Sequence, residues 1–152
     1  MVLNIKTVCE RKENLYKRVF IDTNPLIYLV NEQEPYHSKI LNFLSDCIEN
    51  DTEFYTSTIT DSEFLVKPYS DNNLEQVEKY KFCLKKLNFL KCYISEQIAE
   101  LAAKIRTEYK YIKLADALQI ASCIDCKCDG FVTNDKQLKQ ISEVNVIYLG
   151  DL

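Results

Sequence analysis

Short apolar runs and longer amphipathic patterns alternate along the chain. Five runs have the length and the apolar or alternating character of β-strands. They are RVFI (18–21), EFYTST (53–58), FLKCYI (89–94), FVTND (131–135) and VNVIYL (144–149). Between these runs, apolar residues recur at the three- and four-residue spacing that is typical of amphipathic helices.

The helical segments carry start and stop signals. Thr23, Asn24 and Pro25 follow the first strand and supply N-cap candidates with a proline at the first helical position. Pro68 is expected to end a short capped helix, and Gly130 is expected to be the left-handed residue at a helix C-terminus. The other helices are predicted at residues 36–49, 73–87, 95–109 and 113–127.

Strands that alternate with helices predict an α/β fold. We expect a three-layer sandwich with a mainly parallel central sheet flanked by helices. In sheets of this kind, ligands bind beyond the carboxyl ends of the strands. The residues that directly follow each predicted strand are therefore the first candidates for a functional site.

The composition fits one compact domain. The 152 residues are 47% hydrophobic, which is enough to close a core without disulfides or a structural metal. With 2 glycines, 3 prolines and no repeat or Ser/Gly linker, the chain shows no internal boundary. We expect a domain over residues 18–152, preceded by an N-terminal arm at residues 1–17.

The charge pattern excludes a globally basic nucleic-acid binder, because the net charge is −4. The first 18 residues nevertheless carry +3, which leaves −7 for the remainder. Neither a signal-peptide leader nor an apolar run of membrane-spanning length is present in the sequence. We therefore expect a soluble cytoplasmic protein that does not contact a membrane.

The 7 cysteines are expected to be thiols, because a reducing cytosol does not maintain a disulfide framework. Cys123, Cys126 and Cys128 cluster in CIDCKCDG, and a CxxC pair can hold zinc or perform redox chemistry. A zinc site needs four ligands, however, and the chain has no second CxxC pair and a single distant histidine, His37. Packing in the core is therefore the favoured interpretation.

Four carboxylates lie at the junctions of predicted elements. Asp22 follows the first strand, Glu63 is expected to open the helix after the second, Asp116 begins the most apolar helix and Asp135 follows FVTN. Each has a plain structural explanation. Thr60 and Glu63 match a capping box, and aspartates are favourable at helix starts and turns. Capping does not explain why two buried strands end directly in carboxylates at the same edge of the sheet.

Clustered carboxylates repel one another, and a bound cation relieves the repulsion. A site made only of oxygen ligands selects hard metals such as Mg²⁺ or Mn²⁺, which also accept phosphate oxygens. Such a metal lowers the pKa of a bound water and neutralises charge on a phosphate, which suits phosphodiester hydrolysis. The sequence thus favours a metal-dependent enzyme that needs no histidine or cysteine nucleophile.

Four segments resemble the acidic motifs of PIN domains, and of the VapC-type toxin ribonucleases in particular. They are VFIDTNPLIYL, TSTITDSEFLV, LADALQIASC and GFVTND, and they occur in the order found in that family. The resemblance covers about residues 18–150. It implies that the catalytic acids are Asp22, Glu63, Asp116 and Asp135, with the metal held by Asp22, Asp116 and Asp135.

The resemblance also implies that Asn24 and Thr133 support the acids through hydrogen bonds. It further implies an endoribonuclease dependent on Mg²⁺ or Mn²⁺, an RNA substrate, an antitoxin protein as partner and a homodimer. The acidic balance leaves RNA affinity to a local basic patch, for which the candidates are Lys67, Arg106, Lys110 and Lys113. Two alternatives stay open: a PIN-like scaffold that binds RNA or protein without cutting it, and a metal-dependent phosphatase or DNA nuclease.

Overall fold

The central sheet contains five strands that are parallel to one another. The computed structural model describes residues 16–152, so almost all of the predicted arm at residues 1–17 lies outside the described residues. The strands are β1 (Arg18–Ile21), β2 (Glu53–Ser57), β3 (Leu90–Cys92), β4 (Gly130–Thr133) and β5 (Val146–Tyr148). Their order across the sheet is β3-β2-β1-β4-β5, and each neighbouring pair is parallel. The predicted α/β class is confirmed.

Within residues 16–152, seven α-helices connect the strands and cover both faces of the sheet. They are α1 (Thr23–Val30), α2 (Tyr36–Glu49), α3 (Thr58–Phe64), α4 (Val66–Ser70), α5 (Leu74–Lys86), α6 (Glu96–Glu108) and α7 (Leu114–Asp125). Two short 3₁₀ helices follow β4 and β5, at Lys136–Gln140 and Leu149–Asp151. Helix α2 has the predicted bounds, and α5 and α6 differ from the predicted bounds by one residue at each end. None of the helices in the described part of the chain is long and apolar enough to cross a membrane.

Alternate residues of the central strands pack into two separate cores. Val19 and Ile21 of β1 face the core formed with α1, α2 and α5, whereas Phe20 faces the core formed with α6 and α7. All three side chains are fully buried. Burying a large apolar side chain contributes about 1.5–3 kcal/mol, so this strand fixes both helical layers to one sheet.

The register of β1 and β4 brings their carboxyl ends together. Ile21 pairs with Val132, and the Asp22 backbone N–H donates to the Val132 carbonyl at 2.9 Å. Asp22, which follows β1, and Thr133, which ends β4, therefore lie side by side at the sheet edge. This edge is where the sequence predicts the functional site.

The start of α1 differs from the prediction, and so does the position of Glu63 within α3. Asp22 itself is the N-cap of α1, so Pro25 is the third helical residue and not the first. Helix α3 starts at Thr58, because the Ser57 hydroxyl accepts from the Ile59 backbone N–H at 3.1 Å. The capping-box explanation for Thr60 and Glu63 therefore does not apply, and Glu63 lies in the second turn of α3 and does not open the helix.

The two predicted helix stops are also wrong. Pro68 does not end a helix but lies third in α4, where a backbone N–H has no partner within the helix. Gly130 begins β4, and the left-handed residue after α7 is Lys127, with φ 54°. Gly130 is needed for close packing instead, because a Cβ there would lie 2.7 Å from Ile147 Cδ1.

One cysteine pair departs from the expectation of thiols. Cys92, at the end of β3, forms a disulfide with Cys126, the residue after α7. Cys123 is fully buried in the core on this side of the sheet, as the packing interpretation expects. The sequence could not indicate the pair, because Cys92 and Cys126 are 34 residues apart and meet only through the packing of α7 against the sheet.

Candidate functional site

Asp22 is held at the sheet edge by hydrogen bonds to both of its carboxylate oxygens. Oδ1 accepts from the Thr23 backbone N–H at 2.8 Å, and Oδ2 accepts from the Thr133 hydroxyl at 2.8 Å. The side chain is only 5% exposed. A strand that ends in a buried carboxylate thus gives both the cap of α1 and a fixed acidic group.

Thr133 connects two of the predicted acids. Besides donating to Asp22, its hydroxyl accepts from the Asp135 backbone N–H at 3.1 Å. Asp135 in turn caps the first 3₁₀ helix, because Oδ1 accepts from the Gln137 backbone N–H at 2.9 Å. The Thr133 hydroxyl therefore bonds both to the carboxylate of Asp22 and to the backbone of Asp135.

Glu63 reaches the same edge from α3. Its Oε1 accepts from the Thr23 hydroxyl at 3.2 Å. Thr23 directly follows Asp22. These two adjacent residues therefore supply one carboxylate, that of Asp22, and a hydrogen bond to a second, that of Glu63. Asp116 completes the group from the first turn of α7. The structure thus brings the four predicted acids from four separate parts of the chain to one region.

The four acids act on one another electrostatically. Burial raises the pKa of Asp22 to about 7, against hydrogen bonds from Thr23 and Thr133 that lower it, and the charges of Asp116 and Glu63 raise it further. Burial also raises the pKa of Glu63, with a further contribution from Asp116. The pKa of Asp116 is raised by burial and by Asp135. Asp22, Glu63 and Asp116 are therefore harder to ionise than in water.

A buried polar network lies behind the acids. The Gln119 side-chain amide donates to the Thr60 hydroxyl at 2.7 Å and to the Thr23 hydroxyl at 3.2 Å. Its carbonyl oxygen accepts from the Ser57 hydroxyl, and Thr60 also accepts from Thr56 at 2.9 Å. All five residues are buried. This network fixes Thr23, and through Thr23 it orients Glu63.

The sequence prediction did not include Thr23, Thr60 or Gln119 as site residues. A signal was present, since a glutamine interrupts the apolar face of LADALQIAS and a run of hydroxyl residues follows β2. Asn24, which the resemblance implies as a supporting residue, is exposed at the second position of α1. Its part in the site stays a prediction, and Thr23 makes the contact to Glu63.

The donor chemistry of the site fits a hard divalent cation. All four groups are carboxylates, and the charges of neighbouring acids add to burial in raising the pKa values of Asp22, Glu63 and Asp116. A bound cation would relieve this repulsion. Within residues 16–152, no three His, Cys, Asp or Glu side chains form a ready-made ligand group. The arrangement therefore suits a metal held by one or two carboxylates, with water and phosphate oxygens as the other ligands.

Comparison with known proteins agrees with this geometry. The family model for the PIN domain matches residues 19–144. No curated protein sequence matches the chain.

Solved structures with the same fold come from toxin–antitoxin systems. VapBC2 from Rickettsia felis, bound to a promoter DNA fragment, aligns with a TM-score of 0.73 at 19% identity, over 86% of this chain and 98% of the other. VapBC-1 from nontypeable Haemophilus influenzae aligns with a TM-score of 0.69 at 18% identity, over 88% of this chain and 98% of the other. VapC20 from Mycobacterium tuberculosis is a toxin that cleaves the sarcin–ricin loop. It aligns with a TM-score of 0.62 at 14% identity, over 83% of this chain and 98% of the other.

Proposed function

The chain belongs to the PIN domain family, and we propose that it is a cytoplasmic endoribonuclease that hydrolyses RNA phosphodiester bonds with Mg²⁺ or Mn²⁺. One observation carries this proposal: Asp22, Glu63, Asp116 and Asp135 are brought to the carboxyl edge of a parallel sheet, where burial and the charges of neighbouring acids raise the pKa values of Asp22, Glu63 and Asp116. A cluster that is unfavourable without a cation is suited to binding one.

Asp22 and Asp116 would hold the metal, with Asp135 contributing directly or through a bound water, and the metal would supply an activated water and neutralise charge on the phosphate. The Thr133 hydroxyl donates a hydrogen bond to one carboxylate oxygen of Asp22, and this bond fixes the orientation of the carboxylate toward the metal. Glu63, held by Thr23, is in place to accept a proton from an attacking water. Hydrolysis by water would leave a 5′-phosphate and a 3′-hydroxyl.

Site substitution tests the proposal. We expect Asp116→Asn to lower RNA cleavage in Mn²⁺ by at least about 100-fold, because one oxygen ligand of the metal is replaced by an amide. Asp125→Asn is the matched control, since Asp125 is exposed at the other end of the same helix. Cleavage of a labelled RNA is followed on gels, with circular dichroism to confirm folding. A folded Asp116→Asn variant with full activity, or a 2′,3′-cyclic phosphate product, would contradict the mechanism.

A non-catalytic scaffold that binds RNA or protein is the alternative. Calorimetric titration of the protein with Mn²⁺ separates the two. A ribonuclease should bind Mn²⁺ through Asp116, whereas a non-catalytic scaffold should show no Mn²⁺ binding that depends on Asp116. Small phosphate esters and DNA as substrates separate a ribonuclease from a phosphatase or DNA nuclease.

We also propose that the protein acts as the toxin of a toxin–antitoxin pair and forms a homodimer. The support for the toxin role is the fold it shares with VapBC2 and VapBC-1, and the homodimer is what the resemblance to the VapC-type toxins implies. Induced expression should arrest growth with wild type and with Asp125→Asn, but not with Asp116→Asn. Light scattering after size-exclusion chromatography gives the mass, and a monomer across the accessible concentrations would contradict the dimer.

A further inference from the structure

The loop of residues 109–113, which joins α6 to α7, presents an aromatic ring and two cations beside the acidic site. Its sequence is YKYIK. Ile112 is 4% exposed and anchors the loop in the core, whereas Tyr111 is 43% exposed. Lys110 and Lys113 are exposed on either side of that ring. Ile112 is buried, whereas Lys110, Tyr111 and Lys113 are exposed, so the loop presents one aromatic ring and two positive charges at the surface.

The ring of Tyr111 is held in one orientation. Its hydroxyl donates to the Gln137 carbonyl at 3.3 Å. Its ring meets that of Tyr109 edge to face, with centroids 6.3 Å apart and an interplanar angle of 82°. Tyr109 is itself fixed, because its hydroxyl donates to Glu143 at 2.8 Å. A pre-oriented ring loses little conformational freedom when a flat ligand stacks on it.

This ring lies next to the predicted catalytic acids. Gln137, which accepts from Tyr111, donates its own backbone N–H to Asp135 at 2.9 Å. Asp116 is the third residue of the helix that the loop enters. Burial chiefly raises the pKa of Tyr111, and the charge of Asp135 adds to this rise. The positive charge of Lys113 partly opposes the rise in the pKa of Asp116 that burial and Asp135 cause.

The two lysines are available to an anionic ligand. In the described part of the chain neither Lys110 nor Lys113 has a carboxylate partner, although five other lysines do. Two unpaired cations beside a carboxylate cluster offset the repulsion that the cluster exerts on a phosphate backbone. A polyanion is therefore attracted to this part of the sheet edge rather than to the acids themselves.

We propose that the loop of residues 109–113 is a binding site for single-stranded RNA: Tyr111 stacks on one unpaired base, and Lys110 and Lys113 bind the phosphates that flank it. The identity of the ligand as RNA rests on the proposed function. A duplex does not fit, because its base faces are stacked on one another, whereas unpaired bases stack readily on aromatic side chains. The loop would thereby place an unpaired nucleotide next to the bond to be cut.

Binding in the absence of cleavage tests the stacking contact. The probe is a fluorescein-labelled uridine octamer, titrated with the protein in EDTA and followed by anisotropy. We expect Tyr111→Ala to weaken binding roughly 5- to 150-fold and Tyr111→Phe to keep most of the affinity, because base stacking depends on the ring and not on the hydroxyl. Phe82→Ala is the matched control, since Phe82 is 66% exposed on α5, which packs on the other face of the sheet.

An abasic octamer of the same length separates stacking from charge. It should bind wild type as weakly as the uridine octamer binds Tyr111→Ala, and Tyr111→Ala should weaken it no further. The proposal is overturned if Tyr111→Ala and wild type bind the uridine octamer equally, if the abasic strand binds wild type as well as the uridine strand does, or if an RNA duplex binds as tightly as the single strand.

The salt dependence of binding tests the two lysines. We expect Lys110→Gln and Lys113→Gln each to reduce the slope of log K against log salt by about 0.7, the value for one phosphate contact to a single strand. Lys86→Gln is the control, because Lys86 ends the helix that leads into the amino end of β3, away from the acidic edge. Unchanged slopes in both loop variants would overturn the phosphate contacts.

The outcome is independent of the proposed catalysis. If the octamer binds through Tyr111 but no RNA is cut in Mn²⁺, the loop site stands and the ribonuclease proposal fails. If RNA is cut while Tyr111→Ala affects neither octamer binding nor the KM for cleavage, the loop site fails and the ribonuclease proposal stands.

Discussion

Asp22 combines a structural and a chemical part in one side chain. As the N-cap of α1 it satisfies a backbone donor, and as a buried carboxylate it carries a pKa raised to about 7. The folded protein therefore binds the proton of Asp22 more tightly than the unfolded chain does. As the pH rises from about 4 to 7, the unfolded chain loses this proton first, so the free energy of unfolding decreases over that window.

We expect Asp22→Asn to stabilise the metal-free protein at pH 8 by up to about 4 kcal/mol and to have little effect near pH 4. The amide keeps the cap, because its oxygen can still accept from Thr23, and it removes the buried charge. Urea unfolding in EDTA at several pH values measures this, with Asp125→Asn as a carboxylate control that should show no such trend. If Asp22→Asn were less stable than wild type at pH 8, the buried charge would not be the dominant contribution.

Helix α7 is joined to three other elements through one side chain. Gln119 hydrogen-bonds Ser57 at the end of β2, Thr60 in α3 and Thr23 in α1. Each buried polar group that loses its partner costs about 1–3 kcal/mol.

We expect Gln119→Leu to lower the free energy of unfolding by roughly 2–4 kcal/mol and to reduce RNA cleavage, because Thr23 would no longer be held for Glu63. The control Gln97→Leu, exposed on α6, should change the stability by less than about 0.5 kcal/mol. Equal effects of the two substitutions in denaturant titration would show that the network does not connect these elements.

Local sequence patterns were sufficient for the elements but not for the contacts between them. The apolar spacing of α2 gave both of its ends, and the strands that run into Asp22 and Asp135 indicated the site because the sheet is parallel. Glu63 does not open α3, because Ser57 caps the helix and Thr60 lies in a buried network instead. Gly130 was misplaced because its small size serves a contact with Ile147, 17 positions further along the chain, which no local pattern reveals.

At the scale of the whole molecule, burial and neighbouring charges disfavour ionised Asp22, Glu63 and Asp116 in the metal-free fold, so a bound cation should raise the global free energy of unfolding. A ligand that binds only the folded state at 100 times its Kd stabilises it by about 2.7 kcal/mol. For a chain of this size each kcal/mol raises Tm by roughly 2–4 °C, so saturating Mn²⁺ should raise Tm by about 5–10 °C. Calorimetric scans with Mn²⁺ and with EDTA measure the shift. We expect it in wild type and in Asp125→Asn, and we expect it to be largely lost in Asp116→Asn. A shift of equal size in all three proteins would mean that Mn²⁺ binds elsewhere, and the acidic edge would then be a capping arrangement and not a metal site.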